Sequence, residues 1–395
     1  MTATILGPDA ARAVVPELAA TRNPNIWVYR FTDDATGWTL SVATHAEPGS
    51  GMLSLGGFRI APLARTSAPG FTTDREAIAL AMGMEEKIHW SRVIGVGGPL
   101  ALRDINRIVG GKCVIEPSAD ARMGQPNDMA LLDFSVDCLK EIERTAGIYI
   151  TTGQDLGHGV MHDGKTKSLD YMAKRFAGST RGDTSLPTGE GNYQLLHGML
   201  RAHGLPMEQA TIGLIGCGNI GMHIVERLRE HGNDLTMLVV EARADRRAEL
   251  EAMGIKTWGP EGKLDFLREP MDALVTNAPG GTLDRATVAA CANNARLRVV
   301  CGSENLAMPE PELELELRRA KKVFAPTELG GMMGYLAAVE EYLSVKEDQP
   351  FDMASVLFAA RRLESAGHDT TARVIAGGYQ ESFADAVTEE YAGTT

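Results

Sequence analysis

The sequence predicts an α/β fold in two domains with a cleft between them, and three observations carry that expectation. The chain has 395 residues, more than a single hydrophobic core usually serves. Residues 210–241, ATIGLIGCGNIGMHIVERLREHGNDLTMLVVE, run as an apolar strand, a glycine turn, an amphipathic helix and a second apolar strand. Beyond Glu241 the runs MDALVTNAP, RLRVVCGSEN and KKVFAPTE are short and apolar, each closed by a Gly, Asn or Pro break, and helical stretches separate them. Strands alternating with helices in this way predict a parallel sheet covered on both faces.

Taken in order, NIWVYRF, WTLSVATHA and MLSLGGFRIAPL have strand composition and are separated by Asp/Gly or Pro/Gly breaks. The period then changes. Residues 73–93, TDREAIALAMGMEEKIHWSRV, carry apolar residues at helical spacing behind a Thr-Asp start, which places Lys87 on or just after a helix. A second helix is predicted over 128–147, feeding the strand IYITT and the turn GQDLGHG. Residues 177–191 read as a connector ahead of the helix YQLLHGMLRAHG. From about Gly334 the chain is helical in pattern, and its polar end, EEYAGTT, is expected to fray. The expected domains are residues 1–192 for substrate binding, catalysis and oligomerisation, residues 193–340 as a Rossmann dinucleotide-binding domain, and residues 341–395 as helices packing back toward the first domain.

The glycine turn is informative because of its context. Gly216 allows a tight turn, Gly218 lacks the Cβ that would collide with a pyrophosphate, Gly221 lets helix and strand approach, and the helix start offers free N–H groups to anionic oxygens. Gly216, Cys217, Gly218, Asn219, Ile220 and Gly221 are therefore candidate cofactor residues. Glu241 ends the second strand, where a carboxylate accepts from ribose hydroxyls and repels a 2′-phosphate, so Glu241 and Ala242 favour NAD, with NADP possible because Arg243, Arg246 and Arg247 follow.

Composition narrows the classes of partner. Lys plus Arg number 39 against 52 Asp plus Glu, a formal charge of −13, which argues against nucleic acid or an anionic membrane as the main partner. Five cysteines, at positions 113, 138, 217, 291 and 301, form no CxxC pair, as expected of reduced thiols, and Cys217 reads as a small apolar filler. The sequence shows neither a leader pattern nor a stretch of about 18 apolar residues, and a cytoplasmic location is expected. His158 and His162 lie four apart but lack a third ligand at a readable spacing, so no metal site is assigned.

A dinucleotide site in one domain implies redox work on something held by the other. Four segments of the first domain offer suitable groups: LGGFR at 55–59, MEEK ending at Lys87, GGKCVI containing Lys112, and TGQDLG containing Asp155. Alone, Lys87 would read as a solvated charge on a helix and Asp155 as a local cap of a Gly turn. Lys112, between glycines and an apolar strand, is harder to leave in solvent.

In that order, followed by the glycine turn and by NAPGG, GSEN and APTELGG, these segments resemble the glutamate/leucine/phenylalanine/valine dehydrogenase family over most of residues 50–340. The resemblance implies reversible oxidative deamination of an L-amino acid to a 2-oxo acid and ammonia, with NAD or NADP taking the hydride, and a homo-oligomer, dimer or higher, joined through the first domain. It matches Lys87 to the lysine that binds the substrate carboxylate, Lys112 to the catalytic lysine and Asp155 to the catalytic aspartate. Gly56, Gly57, Asn305 and Met332 fall on the substrate side, and Thr188, Asn277, Ala278 and Pro279 on the cofactor side. The glutamate enzymes of the family carry a lysine where this chain has Leu55, and leucine cannot pair a side-chain carboxylate. Burying that charge unpaired costs several kcal/mol, so an aliphatic, aromatic or modified amino acid is expected.

Lys87 and Lys112 stand about a dozen residues farther apart than in the family, and counting places Pro99 where the catalytic lysine belongs; the text GGKCVI selects Lys112, leaving 97–109 as a loop or extra turn near the cleft. Another oxidoreductase acting on a small acid or imine, and a non-catalytic dinucleotide-binding regulator, are the competing readings.

Overall fold

The apolar runs of the first sixty residues become a mixed sheet in a computed structural model that describes residues 2–232 and 235–391. The chain divides into two units. The first comprises Met1–His89, Pro99–Thr184 and Tyr335–Phe351, the second Trp90–Gly98, Ser185–Gly334 and Asp352–Thr395.

In the first unit, β1 (Thr2–Leu6), β2 (Trp27–Thr32), β3 (Thr39–Thr44), β4 (Leu53–Leu55) and β5 (Phe58–Ile60) precede the long helix α1 (Thr73–Ile94), the short helix α2 (Pro99–Arg103) and β6 (Ile108–Glu116). Helix α3 (Asp128–Ala146) and β7 (Tyr149–Thr151) follow. Strand β6 organises the sheet. It pairs antiparallel with β3 and parallel with both β4 and β5, and β7 runs parallel on the far side of β4. The registers bring Leu55 beside Gly110 and Thr151, and Ala43 beside Lys112. All of β6 but its last residue is buried, which suits an apolar run covered on both faces. The core under it joins Phe31, Leu40, Val42, Phe58 and Ile115 to Leu132, Leu139 and Ile142 of α3.

In the second unit, α4 (Ser185–Ala202) leads into β8 (Thr211–Ile215), α5 (Asn219–Arg229), β9 (Thr236–Val240), β10 (Lys256–Trp258) and β11 (Ala273–Thr276). Then come α6 (Arg285–Asn293), β12 (Val299–Gly302) and β13 (Val323–Phe324). The strands form a parallel sheet in the order β10-β9-β8-β11-β12-β13, the doubly wound arrangement in which the first strand of the motif, β8, lies beside the reversal of strand order.

Two boundaries differ from the sequence reading. Helix α4 starts at Ser185, inside the expected connector: Pro187 falls in its first turn, where a missing N–H costs nothing, and Cβ atoms on Gly189 and Gly191 would stand 2.7 Å from His223 and 2.5 Å from Met333. The whole of α4 therefore joins the second unit instead of being divided at residue 192.

The C-terminal helices are also shared out. Only Tyr335–Phe351, most of α7 (Met332–Lys346) and the chain after it, groups with the first unit, whereas α8 (Met353–Ala359), α9 (Arg362–Ala376) and α10 (Phe383–Tyr391) belong to the second, with α9 packed on α4. The last four residues of the EEYAGTT tail lie outside the described residues. Residues 97–109, expected as a loop or extra turn, take the helical alternative. They hold α2, whose Leu100 and Ala101 amides donate to the buried Glu340 carboxylate of α7 at 3.1 and 2.8 Å.

Candidate functional site

In the first unit the turn between β4 and β5 crosses directly over β6. A Cβ on Gly57 would stand 2.9 Å from Lys112 Nζ and 3.3 Å from Asp155 Cβ, so glycine is required there if the ammonium is to keep its place. Lys112 is 4% exposed and ion-pairs with Asp155, which the turn after β7 brings back to the sheet. Leu55, Gly56, Gly57, Lys112 and Asp155, from three separate segments, thus come together around β6.

Lys87 is buried on α1. It stands two residues beyond Glu85, whose carboxylate accepts the Gly110 amide at 2.6 Å and so ties α1 to β6.

The sequence reading passed over Arg59, although it quoted the motif LGGFR. Arg59 is 1% exposed and donates through Nε and Nη2 to the two oxygens of Asp155, at 3.2 and 3.3 Å, while Nη1 reaches Glu76 of α1. An arginine between Phe58 and Ile60 on a buried strand is the available signal, because such a charge needs buried counterions.

Burial would push the Asp155 carboxyl up, but the Lys112 ammonium and the Arg59 guanidinium outweigh it and hold the carboxyl well below the usual carboxylate range. Burial also pushes Lys112 down, with Arg59 adding repulsion and Asp155 opposing. The neighbouring Cys113 thiol is driven up to about 12 by burial and stays protonated.

The paired histidines serve different partners. His158 Nε2 donates to the Phe58 carbonyl at 2.6 Å with Nδ1 against Ser168 Oγ at 2.9 Å, whereas His162 Nδ1 lies 2.7 Å from Asp128.

The second unit holds the other half of the expected residues. Gly216 has φ +87°, and a Cβ there would meet the backbone of Asn277 and Ala278 at 2.8 Å. At Gly218 a Cβ would meet nothing within 4 Å, so that face of the turn is open, and Asn219 and Ile220 begin α5 beside it.

Glu241 is buried and accepts the Cys217 amide at 2.7 Å and the Arg243 amide at 2.8 Å, one on each oxygen, which leaves lone pairs for hydroxyl donors. Arg247 is turned onto the Glu241 and Ala242 carbonyls and Arg246 onto Glu249.

Beyond β11, Asn277 Oδ1 accepts from Asn192 Nδ2 at 2.9 Å and from Ser303 Oγ at 2.6 Å. Among the described residues Asn277 Nδ2 and Asn192 Oδ1 are buried without partners. A free donor and a free acceptor side by side, near an open glycine turn and a carboxylate with spare lone pairs, fit an amide-bearing dinucleotide.

Asn192, Ser303 and Glu304 were missed by the sequence reading. Glu304 is 2% exposed and takes the Ala278 and Thr282 amides, bracing the loop of Ala278 and Pro279. Thr188 is buried in the first turns of α4, Asn305 follows Glu304, and Met332 is fully buried at the start of α7.

No family model matches the chain. It is 24% identical over 315 residues to valine dehydrogenase of Streptomyces virginiae, covering 77% of this chain and 78% of that one. With leucine dehydrogenase of Bacillus subtilis it shares 23% identity over 255 residues, 61% of this chain and 67% of the other. In structure it matches L-tryptophan dehydrogenase from Nostoc punctiforme with a TM-score of 0.61 at 15% identity, across 93% of this chain and 95% of that one, a likeness of fold. The relatives that the chain resembles in sequence are thus amino acid dehydrogenases, and it shares its fold with another enzyme so named.

Proposed function

We propose that the protein is a nicotinamide-dependent L-amino acid dehydrogenase, converting an apolar or modified L-amino acid to its 2-oxo acid and ammonia, with NAD as the preferred cofactor. The observation that carries this is the buried Lys112–Asp155 pair beside Gly57: an amine kept nearly dry gives up its proton more readily than an ordinary lysine, as a general base must.

In this reading the Lys87 ammonium fixes the substrate carboxylate and so aims the α-hydrogen. A bound nicotinamide dinucleotide supplies the hydride acceptor; Gly216, Cys217, Gly218, Asn219, Ile220 and Gly221 would hold its pyrophosphate, Glu241 and Ala242 its adenosine ribose, and Thr188, Asn277, Ala278 and Pro279 its nicotinamide end. Loss of hydride leaves a substrate iminium. The Asp155 carboxylate stabilises the iminium, and neutral Lys112 takes a proton from water as the oxygen bonds to the iminium carbon, giving a neutral carbinolamine. The Lys112 ammonium then returns that proton to the amine nitrogen and takes the hydroxyl proton as the C–N bond breaks, so the carbonyl of the 2-oxo acid forms and ammonia leaves.

Leu55, 2% exposed at the end of β4, favours an apolar side chain, as do relatives named for valine, leucine and tryptophan. Gly56, Asn305 and Met332 complete the proposed substrate side. Glu241 supports NAD, since its carboxylate would repel a 2′-phosphate and two of the three following arginines are engaged elsewhere. A homo-oligomer, dimer or higher, completes the reading and is checked by light scattering.

The test is purified protein with NAD or NADP and a panel of valine, leucine, phenylalanine, tryptophan and glutamate. Growth of reduced-nicotinamide absorbance with an apolar member, and an ammonium requirement in reverse, is the expected result. Silence across the panel with both cofactors overturns the reading.

A further inference from the structure

We propose that Arg59 is a positioning residue for the acid–base pair: it fixes the Asp155 carboxylate as a permanent anion and leaves Lys112 as the group that takes and returns the proton. The inference rests on the roles given to Lys112 and Asp155 above.

The geometry states the problem. Two cations, Arg59 and Lys112, share the Asp155 carboxylate in a nearly dry pocket, and the third arm of the guanidinium is on Glu76, which Arg65 also meets at 3.2 Å. Lys112 is faced by Asp155 and His158 from the turn after β7, by Arg59 from β5 and by Cys113 on its own strand, with Glu76 of α1 behind Arg59. The His158 ring, bonded at both nitrogens and lowered by burial, is neutral, and the Cys113 thiol is protonated. The charge balance at Lys112 is therefore set by Arg59 and Asp155.

If a buried ammonium had only one carboxylate, loss of its proton would strand that carboxylate without a partner, and the proton would move across to the oxygen instead. Arg59 prevents this. When Lys112 is neutral, Asp155 still has two guanidinium donors and the Leu156 amide at 2.7 Å, so the pair never collapses to amine and carboxylic acid. The rigid fork also fixes the plane of the carboxylate, which a single ammonium cannot do.

The test uses the full-length protein and a readout that needs no substrate: trace acetylation of Lys112 by acetic anhydride, followed by mass spectrometry across a pH series. In Arg59→Met the labelling midpoint of Lys112 is expected to rise by about 1–3 pH units, because a nearby positive charge is removed and Asp155 is no longer shared. The acid limb of kcat moves with it. Arg59→Lys keeps the charge without the fork, so its midpoint stays near wild type while kcat falls by about 10²-fold with KM little changed.

A folded Arg59→Met with an unmoved midpoint overturns the inference. If that variant does not fold, Arg59→Lys decides, and wild-type kcat in it overturns the inference. A shifted midpoint in a protein that oxidises none of the amino acids upholds the role of Arg59 in setting the charge and removes the proposed function. Turnover with an unmoved midpoint does the reverse.

Discussion

The two units handle buried carboxylates differently at their sites. In the second, Glu241 and Glu304 are each met by two backbone amides, neutral donors that cannot give up a proton or move without the fold. In the first, Asp155 is met by two side-chain cations, one of which is an amine. An amide-held carboxylate is a fixed acceptor suited to positioning a ligand. A carboxylate shared with an amine belongs to a system whose protonation can change during a reaction. Under the proposed function, the difference gives ligand binding to the second unit and proton traffic to the first.

The largest expected effect breaks one side of that division and leaves the other intact. Lys112→Ala should lower amino acid oxidation by about 10²–10⁴-fold, the usual range for a lost general acid–base group. Dinucleotide affinity, followed by quenching of protein fluorescence, should not change. The sign of the pH dependence follows from the lowered proton affinity of Lys112: the neutral amine grows as pH rises through a midpoint below the ordinary lysine value, so wild-type oxidation rises with pH along an acid limb that the alanine variant lacks. Retained turnover with the same limb would place the chemistry elsewhere.

Leu55→Lys comes next in size and concerns the substrate alone. An ammonium introduced where the leucine is 2% exposed should cut kcat/KM for the preferred apolar amino acid by about 10–200-fold relative to glutamate. An unchanged preference would remove Leu55 from the substrate side.

On the cofactor side two glycines of the same turn should separate binding from folding. Gly218→Val meets open space, so it should weaken NAD binding by at least about tenfold, roughly 1.4 kcal/mol, with the melting temperature nearly unchanged. Gly216→Val needs a positive φ and collides with Asn277 and Ala278, so it should lower both. Calorimetry of the two variants checks the contrast; equal losses of stability would mean that the face beside Gly218 is not open.

What could be read ahead of the structure follows the same division. The glycine turn, β8, α5 and β9 occupy one continuous stretch of sequence, and each local choice of residue agrees with the next, so that half of the site is legible from text. The site of the first unit is assembled from three distant pieces, residues 55–59, 112 and 155, and no local period encodes that Arg59 and Lys112 meet on one carboxylate. Lys112 stood out because GGKCVI leaves its ammonium no route to water, whereas Arg59, inside a three-residue strand, had too short a context.

Elsewhere, β10 escaped notice for the same reason. KTW is a brief, half-exposed edge strand, and its place is set by pairing with β9 rather than by its composition. The helix α4 was begun too late because glycines and a proline read locally as a connector, while the close packing that requires them is tertiary.

The smallest effect concerns residues 97–109, the stretch that lengthens the spacing between Lys87 and Lys112. Glu340 is 4% exposed, and its carboxylate caps α2 through the Leu100 and Ala101 amides, while Arg103 at the other end of α2 pairs with Glu347. Glu340 lies on α7 and Glu347 directly follows its last residue, so α7 and its C-terminal edge grip both ends of α2, ahead of the strand that carries Lys112. Glu340→Ala should therefore cost about 1–2 kcal/mol in urea unfolding, the range for a lost buried cap. Glu347→Ala, at an exposed and solvent-screened pair, should cost clearly less than Glu340→Ala. Because α2 feeds β6 directly, loosening it should also reach Lys112. Kinetic constants of Glu340→Ala should show a modest fall in kcat with the pH limb unmoved, since the charges around Lys112 stay in place and only the precision of their support is reduced. A moved limb would mean that Glu340 contributes to the electrostatics of the pair and not merely to its scaffold.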